Sequence, residues 1–490
     1  MSHAKELFLD HAATTPVHPD AVGLMLPFFG NHFGIPSSPS ELGQRPRRAL
    51  EEARSRAAAL INASPAQVVF TSGGTEANNL AVLGAASAGR KKGNHIVTTA
   101  VEHASVLNAC RHLETRGFRM SILPVDDQGR VDPEQVREAL CDDTILISVS
   151  HASNETGTIQ PVEEIGAMAR ERGIIFHCDA VQSTGKVSLD VRTLPVDLLS
   201  ISSHKLYGPK GAGALFVADR DAIEPVIFGS GQEHGIRPGT INVPCVAGFG
   251  LACSVAQRDL ENNGVLMTSL RESLEQQTVN RIAGVKVNGA DAPRLPHISS
   301  LSFRGVPADD LAAYLDAVHI VVSSRCSPGI EGHEMPPALA ALGLEKEYAS
   351  GTIRLSLGWE NKEKQIRRAV KSLADAVESL RGFAAASRDK DVTMFTFPDR
   401  ENAAAALKSL SGAGPAFSLA ARPRDLAHGS CSSIALACLS KDQTKVGALL
   451  GESGVTIAGL HKTRDDDRPM KKKEREFWDK VERIKKGLPS

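Results

Sequence analysis

A lysine follows a strand-like run in the segment SSHKLYGPKGAG, where Lys205 stands just ahead of a glycine-rich turn. A lysine at a strand end can point into a cleft, and an amine that is desolvated near other cations loses its proton and becomes nucleophilic. Ser203 and His204 directly precede it. Taken alone, such a lysine is more often a solvated surface charge, so the surrounding segments must decide between the two interpretations.

Two further segments supply groups that a phosphorylated pyridine cofactor needs. The turn TSGGTEANN places Gly74 and Thr75 between a strand and a helix, where backbone N–H groups and a hydroxyl bind phosphate. Asp179 ends the strand IIFHCD, and a carboxylate there keeps a pyridine nitrogen protonated, so that the ring accepts electrons. Candidates for contacts with the ring oxygen and the ring face are Gln182 and His103. Together with the lysine, these residues predict a site for pyridoxal 5'-phosphate (PLP).

The cysteines point to thiol chemistry at two positions. The chain has eight cysteines but no C-x-x-C pair, so neither a disulfide framework nor a metal site is predicted. Six of them lie among apolar or small residues and are interpreted as buried hydrophobic side chains. Cys326 and Cys431 lie in polar segments that contain serine and glycine, and these two are the candidates for chemistry.

The sheet that must position these residues is indicated by β-branched runs that alternate with helical stretches. The runs lie at 68–72, 95–99, 144–150, 174–179, 198–203 and 213–217. Such alternation is typical of an α/β fold, in which helices cover both faces of a mostly parallel sheet. Ligands gather where the strands of such a sheet end, which is where the lysine and Asp179 are predicted to lie.

The length of 490 residues predicts more than one domain. The periodicity changes to a long helix near 246–285 and changes again at FAAASRDKD. The predicted parts are a large PLP-binding domain at 21–249, a small domain at 1–20 and 250–385, a linker at 386–392, an α+β module with βαββαβ order at 393–465 and a charged tail at 466–490.

Charge and hydropathy exclude two classes of function. The 56 Lys and Arg balance 57 Asp and Glu, a formal net charge of -1, so no direct binding of nucleic acid is expected. No uninterrupted apolar run approaches the about 18 residues of a membrane helix, and the N-terminus does not have the pattern of a signal peptide. A cytoplasmic protein without a membrane partner is therefore expected.

Ten motifs, taken in chain order, carry a resemblance to one family. They are DHAATTP, TSGGTEANN, VEHAS, SNETGTIQP, HCDAVQSTGK, SSHKLYGPKGAG, GQEHGIRPGTIN, LSFRG, SSRC and IRLSLGW. This set resembles the cysteine desulfurases, which are aminotransferase class V enzymes of PLP fold type I, over residues 7 to about 385. The resemblance implies a large domain with a mostly parallel seven-stranded sheet, a small α+β domain, and PLP as the cofactor.

The resemblance also implies roles for individual residues. Lys205 would hold PLP, and either Lys205 or His103 would move protons. The implied PLP contacts are Gly74, Thr75, His103, Asn154, Asp179, Gln182, Ser203, His204 and, toward the cofactor of a second subunit, Thr240. Asn154 and Arg354 would bind the substrate carboxylate, and Cys326 would accept the sulfur. A homodimer that converts L-cysteine to L-alanine, with a persulfide on Cys326, is thus implied.

Three segments depart from the family pattern. GIPSSPS replaces the usual G-N-P-S-S-x-H, His234 stands where an arginine is usual, and SSRCSP replaces S-S-G-S-A-C. The module at 393–465 has a resemblance of its own, to a small family of sulfur or selenium carrier-like domains, through Pro423 and Arg424 followed by Cys431. Cys431 is accordingly predicted to relay sulfur, with a structural or regulatory cysteine as the alternative.

Three functions stay open at this point. The first is a cysteine desulfurase that passes sulfur to an acceptor protein, and the second is a selenocysteine lyase that acts on L-selenocysteine. The third is a PLP-binding scaffold with weak catalysis, which recruits partners through its C-terminal module. The final recipient is equally open, among iron-sulfur cluster assembly, tRNA thiolation and selenium metabolism.

Overall fold

The structure of the protein is a computed structural model. The structure describes residues 6–324, 337–387, 392–397, 400–410, 417–421, 434–439, 446, 450 and 459–462. Cys326, Cys431 and the charged tail at 466–490 lie outside these residues. Within the described part of the chain, no helix combines the length and the apolar composition that a membrane span requires.

The strands of the described residues fall into four sheets. They are β1 Leu7–Phe8, β2 Val68–Thr71, β3 His95–Thr99, β4 Arg119–Leu123, β5 Thr144–Ser150, β6 Ile175–Asp179, β7 Leu198–Ser202, β8 Gly213–Val217, β9 Val285–Val287, β10 Ile298–Phe303, β11 Ile320–Val321, β12 Thr352–Ser356, β13 Val392–Thr396, β14 Phe417–Ala421, β15 Ile434–Leu439 and β16 Gly459–Lys462.

The helices of the described residues surround these sheets. They are α1 Pro19–Met25, α2 Glu41–Leu60, α3 Gly74–Gly89, α4 Ala104–Glu114, α5 Pro133–Ala139, α6 Val162–Arg172, α7 Val243–Arg281, α8 Ala308–Ala317, α9 Pro337–Ala341, α10 Lys346–Ala349, α11 Glu363–Ser387 and α12 Arg400–Leu410. A 3-10 turn, Ser203–Lys205, directly follows β7.

Seven strands form the central sheet in the order β2-β8-β7-β6-β5-β3-β4. β8 is antiparallel to both of its neighbours, and the other pairs are parallel. The strands β2, β3, β5, β7 and β8 are buried along their whole length, because helices cover both faces and the strands are correspondingly apolar. The mostly parallel sheet expected from the sequence is confirmed.

The helices on the two faces build two apolar cores. Leu50 of α2 and Ile165 of α6 pack on one face, and Leu80 of α3 and Val106 of α4 pack on the other. Because β2, β6 and β7 point the same way, the turn before α3, Asp179 and the 3-10 turn with Lys205 meet at one edge of the sheet. This edge is the place where a doubly covered sheet binds its ligands.

A smaller unit is built around the antiparallel sheet β12-β10-β9. The N-terminal strand β1 pairs in parallel with β11, and Leu7 and Leu9 join Phe303 and Leu373 in one buried cluster. The 39-residue helix α7 leads into this unit from the large sheet. The N-terminal segment is therefore held against the small unit, and it runs from there to the edge where Lys205 lies.

The C-terminal module contains a four-stranded antiparallel sheet in the order β14-β15-β13-β16. Phe397, Ala403 and Leu450 are fully buried, and they belong to the same apolar cluster as Leu311 of α8 and Leu373 of α11. The module thus packs against the small unit through a continuous apolar contact.

Candidate active site

The turn between β2 and α3 has the shape of an anion-binding loop. Gly73 adopts φ 155 and ψ -178, a conformation that is essentially restricted to glycine, just ahead of the first turn of α3. A Cβ atom on Gly213 of β8 would lie 2.7 Å from the Cα of Gly73, so the loop can approach β8 this closely because residue 213 is glycine. Gly74 and Thr75 begin α3, where free backbone N–H groups favour a phosphate.

Ser202, which the sequence analysis did not select, is the serine beside this loop. Its Cβ lies 3.4 Å from the point where a Cβ on Gly74 would be, and its Oγ is buried and makes no hydrogen bond with a described residue. A buried hydroxyl without a partner is costly unless a ligand supplies one. The Oγ of Ser203 is buried without a described partner as well, so it is the position of Ser202 beside Gly74 that makes its hydroxyl a candidate donor to a ligand at this loop.

The placement of Ser203 differs from the expectation. A Cβ atom on Gly208 would lie 2.1 Å from its Oγ, which shows that this side chain faces Gly208 and not the loop. The reason is the two-residue period of a strand: Leu198 packs in the core on the α3 side, whereas Leu199 and Ile201 pack on the opposite face. Every second residue after Leu198 lies on the α3 side, so this alternation would have identified Ser202 as the serine on the side of the loop.

Lys205 lies at the junction of the large sheet and the N-terminal segment. Its Nζ donates to the carbonyl oxygens of Ala12 at 2.6 Å and Ala13 at 2.7 Å. Burial, aided by the positive charge of Arg354, lowers the pKa of Lys205 to about 8, although Asp10 and Asp179 act in the opposite direction. Near neutral pH most of the amine is still charged, but the neutral form that nucleophilic attack requires is far more accessible than in an ordinary lysine.

Asp179 is buried at the end of β6 and is held by two donors. Its Oδ2 accepts from the side-chain amide of Asn78 at 2.7 Å, and its Oδ1 accepts from the backbone N–H of Val181 at 3.0 Å. Asn78 is 1% exposed. Because carboxylate oxygens accept hydrogen bonds, these two contacts fix the orientation of the Asp179 side chain. Asn78 is a second site residue that the sequence analysis did not select.

The amide of Asn78 also connects Asp179 to His103. It donates to Ser105 Oγ at 2.9 Å, and Ser105 Oγ lies 2.7 Å from His103 Nδ1. The backbone N–H of Ser105 donates to the same nitrogen at 3.1 Å, because His103 is the N-cap residue of α4. Since Nδ1 accepts, a neutral His103 carries its proton on Nε2.

The N-terminal segment covers the remaining predicted residues. Gln182 Nε2 donates to the Ala12 carbonyl oxygen at 3.0 Å, and His204 Nδ1 lies 3.1 Å from Thr14 Oγ1. Burial, with the charge of Lys205, lowers the pKa of His204 to about 4, so the ring is neutral. In the structure, then, both predicted cofactor contacts are engaged by residues of the DHAATTP motif.

Arg354 lies in contact with Asn154. Arg354 Nη1 donates to the Asn154 carbonyl oxygen at 2.8 Å, and Nη2 donates to Asp10 Oδ1 at 2.9 Å. Arg354 Nε is buried and makes no hydrogen bond with a described residue. The guanidinium is thus oriented by protein groups, and its Nε–H is left for a further ligand.

Thr240 does not lie with the other predicted residues. It is exposed, and it lines a separate cavity of about 480 Å³ together with Ile35, Gln232 and His234. Cys326 and Cys431, the two predicted sulfur acceptors, lie outside the described residues.

Comparison with known proteins shows the family to which the chain belongs. The family model described as "Aminotransferase class-V" matches residues 7–369. The chain belongs to the aminotransferase class-V family. A cysteine desulfurase IscS of Dictyoglomus turgidum is 41% identical over 377 residues, which cover 77% of this chain and 96% of that protein. One of Methanosarcina thermophila is 40% identical over 380 residues, covering 78% and 94%.

Solved structures agree with the family assignment. A NifS-like protein superposes with a TM-score of 0.71 at 32% identity, covering 76% of this chain and all of that one (100%). A structure of SspA in complex with cysteine gives 0.65 at 33% identity, covering 72% and 99%. Within the class-V family the chain is an enzyme of the cysteine desulfurase group, and the predicted fold, family and dependence on PLP are confirmed.

Proposed function

We propose that this chain removes sulfur from L-cysteine and leaves L-alanine, with Cys326 as the first acceptor. In this reaction L-cysteine and the Cys326 thiol give L-alanine and a Cys326 persulfide, so the sulfur atom is the only group transferred. The observation that carries the proposal is the meeting of Lys205, Asp179 and the Gly73–Gly74 loop at one sheet edge, in a chain 41% identical to a cysteine desulfurase over 377 residues.

The residues at this edge fit PLP. The unpartnered Oγ of Ser202 and the N-terminus of α3 suit its phosphate, and the carboxylate of Asp179 suits its protonated pyridine nitrogen. His103 is proposed for the ring face, and Gln182, His204 and Asn154 for its polar edge. When bound, PLP withdraws electrons from the substrate carbon beside the amine.

The chain's own residues then bind the substrate and move protons. Arg354 offers Nε to the substrate carboxylate, while Asp10 and the Asn154 carbonyl keep its guanidinium in place. The Lys205 amine, with a pKa lowered to about 8 by burial, takes and returns the proton at the reacting carbon. His103 offers its Nε2 proton, since its Nδ1 is occupied by Ser105.

Sulfur transfer is assigned to two cysteines. Cys326 attacks as a thiolate, and the adjacent Arg325 favours that form electrostatically. Cys431 receives the sulfur next and passes it to an acceptor protein. The chain carries both thiols, and tethering raises the effective concentration of the second one at the first.

The active form is proposed to be a homodimer in which Thr240 contacts the cofactor phosphate of the other subunit. Thr240 lies away from the Lys205 edge of its own subunit. Several large apolar side chains are exposed, among them Leu26, Phe29, Phe33 and Phe228, with Phe228 at 85%. In the proposed homodimer, these apolar side chains are assigned to the interface with the second subunit.

A pulse of L-cysteine on the full-length, PLP-loaded protein tests this proposal. Alanine is quantified, and tryptic peptides are analysed by mass spectrometry for added sulfur. We expect alanine, with sulfur first on the Cys326 peptide and then on the Cys431 peptide. Cys326→Ser should abolish alanine formation, and Cys431→Ser should leave the sulfur on Cys326. The half-buried Cys245 gives a control, since Cys245→Ser should change neither result.

Other outcomes support the competing functions. Alanine release from L-selenocysteine that survives Cys326→Ser, with none from L-cysteine, identifies a selenocysteine lyase. No alanine from either substrate identifies a scaffold. If the Cys326 peptide gains sulfur and the Cys431 peptide never does, the relay is contradicted while the desulfurase stands.

A further inference from the structure

A second cavity lies behind the turn that carries Lys205. It has a volume of about 170 Å³ and lies between α7, the N-terminal segment and Trp359. Leu206 and Tyr207, the two residues after Lys205, form part of its wall. None of the residues that the proposed function uses lines it, so this cavity is separate from the candidate active site.

Lys186 lines this cavity, and none of the described residues forms an ion pair with it. The residue is only 5% exposed. No described residue accepts a hydrogen bond from its Nζ, and its polar contact is with the ring of Tyr207, 5.0 Å from Nζ to the ring centroid. Burial lowers the pKa of Lys186 to about 8, and no carboxylate opposes that effect. Near neutral pH the amine is therefore largely charged and unpaired, which is unfavourable in a buried position.

The other charged groups on the cavity wall do not neutralise it. Asp259, the carboxylate on the wall, is paired with Arg258 through two contacts, Nε to Oδ1 at 2.8 Å and Nη2 to Oδ2 at 2.7 Å. These two charges cancel. The wall thus keeps the net positive charge of Lys186, next to the aromatic rings of Tyr207 and Trp359.

We infer that this cavity binds a small carboxylate or oxyanion, whose negative charge pairs with the ammonium group of Lys186. An anion would supply the acceptor that Nζ lacks, and the Tyr207 and Trp359 rings would exclude water from the pair. A metal cation is disfavoured by the charge of the wall. Metabolites as small as acetate or inorganic phosphate match the volume of the cavity. This inference is independent of the proposed function.

Isothermal titration calorimetry of the full-length, PLP-loaded protein tests it, with acetate and with inorganic phosphate as the probes. Ionic strength is held constant with chloride, and bound PLP keeps the loop at Gly73–Gly74 occupied. We expect saturable binding of at least one probe, weakened roughly tenfold or more in Lys186→Met, which keeps the straight side chain and removes the charge. The exposed Lys210 gives the matched control, because Lys210→Met should bind as the wild type does.

A second measurement uses the unmodified protein, so it does not depend on the folding of a variant. Short pulses of acetic anhydride acetylate lysines, and peptide mass spectrometry compares Lys186 with Lys210. Saturating probe should slow acetylation of Lys186 several-fold and leave Lys210 unchanged. Three results would each overturn the inference. They are no saturable binding of either probe, equal binding by Lys186→Met and the wild type, and a rate of Lys186 acetylation that neither probe changes.

Discussion

One asparagine orients two groups of the candidate active site. The two N–H groups of the Asn78 amide donate to Asp179 and to Ser105, and Ser105 in turn contacts His103. Because a carboxylate oxygen accepts hydrogen bonds, the Asn78 amide must be the donor to Asp179. This sets the direction of the hydrogen bonds that lead from Asp179 through Asn78 to Ser105. Asn78 therefore helps to fix the position of the Asp179 carboxylate and, through Ser105, supports the tautomer of His103 that carries its proton on Nε2.

Replacing Asn78 should weaken the hold on PLP. In Asn78→Ala the buried Asp179 loses one of its two donors, and a lost hydrogen bond to a charged group predicts roughly ten- to hundredfold weaker PLP binding. The measurement is a fluorescence titration of apoprotein with PLP. Asn79 is the control: it donates to the backbone oxygens of Thr75 and Ser105, and Asn79→Ala should bind PLP within about threefold of the wild type. Equal PLP affinities of the Asn78→Ala and Asn79→Ala variants would show that Asn78 does not contribute to PLP binding.

At the scale of residues, the sequence predicts which residues could carry the chemistry, but it predicts less well which residues contact them. Lys205 and Asp179 follow from strand ends, which the β-branched runs locate. Asn78 could not be found in this way, because its role depends on α3 packing between β6 and α4. Ser202 and Ser203 are adjacent and chemically identical, and only the face of β7 to which each belongs separates them.

At the scale of elements, a buried glutamate ties two strands of the central sheet. Glu102 Oε1 accepts from Thr99 Oγ1 at 2.7 Å, at the end of β3, and from the Ser150 backbone N–H at 3.0 Å, at the end of β5. Its Oε2 is buried without a partner among the described residues. Burial raises the pKa of Glu102 to about 8 from its ordinary value of 4.5, so the folded protein keeps this carboxyl protonated at neutral pH.

The sign of the resulting pH dependence follows from proton linkage. Between pH 4.5 and about 8 the folded state holds the Glu102 proton and the unfolded state does not, so this stabilisation is full below pH 4.5 and is lost as the pH rises toward 8. Glu102→Gln has the same shape and does not titrate. Relative to the wild type, its free energy of unfolding should therefore rise from pH 5 to pH 9 by on the order of 2–4 kcal/mol.

Urea unfolding at several pH values, followed by circular dichroism, checks this prediction. Glu114, exposed in the last turn of α4, provides the control variant Glu114→Gln, whose difference from the wild type should stay constant with pH. A constant difference for Glu102→Gln as well would show that the carboxyl is ionised in the folded protein.

The elements themselves were largely predictable, with one omission. Six of the seven strands of the central sheet coincide with runs that the sequence shows. β4, with the sequence RMSIL, has no continuous apolar run, because it is the edge strand next to β3 and is partly exposed. The reversed direction of β8 could not be read from its residues either, since an apolar strand of five residues fits a sheet in both directions.

At the scale of the whole molecule, the proposed homodimer predicts that each site is built from two subunits. A heterodimer of Lys205→Ala and Thr240→Ala subunits has one site with both residues replaced and one with both intact. With differently tagged subunits, the purified heterodimer should show roughly half of the wild-type turnover, although each homodimeric variant is impaired. If Thr240 acted within its own subunit, neither site would be intact and turnover would stay low.

The arrangement of the C-terminal module on the small unit could not be predicted from sequence. The strand runs between 392 and 462 are visible as patterns, but the surfaces that meet are not. Phe397 and Leu450 join a cluster with α8 and α11, and these residues are far apart in the chain. Such long-range contacts depend on shape, which periodicity does not encode.

The central claim is that Lys205 binds PLP covalently and that this enables removal of sulfur from L-cysteine. The most direct measurement reduces the PLP-loaded protein with borohydride, which fixes the lysine–cofactor bond, and then maps the pyridoxyl group by peptide mass spectrometry. We expect the pyridoxyl group on Lys205. The variant Lys205→Ala should carry none and form no alanine from L-cysteine, while Lys210→Ala should behave as the wild type. A pyridoxyl group on another lysine, such as the buried Lys186, together with alanine formation by Lys205→Ala, would contradict the central claim.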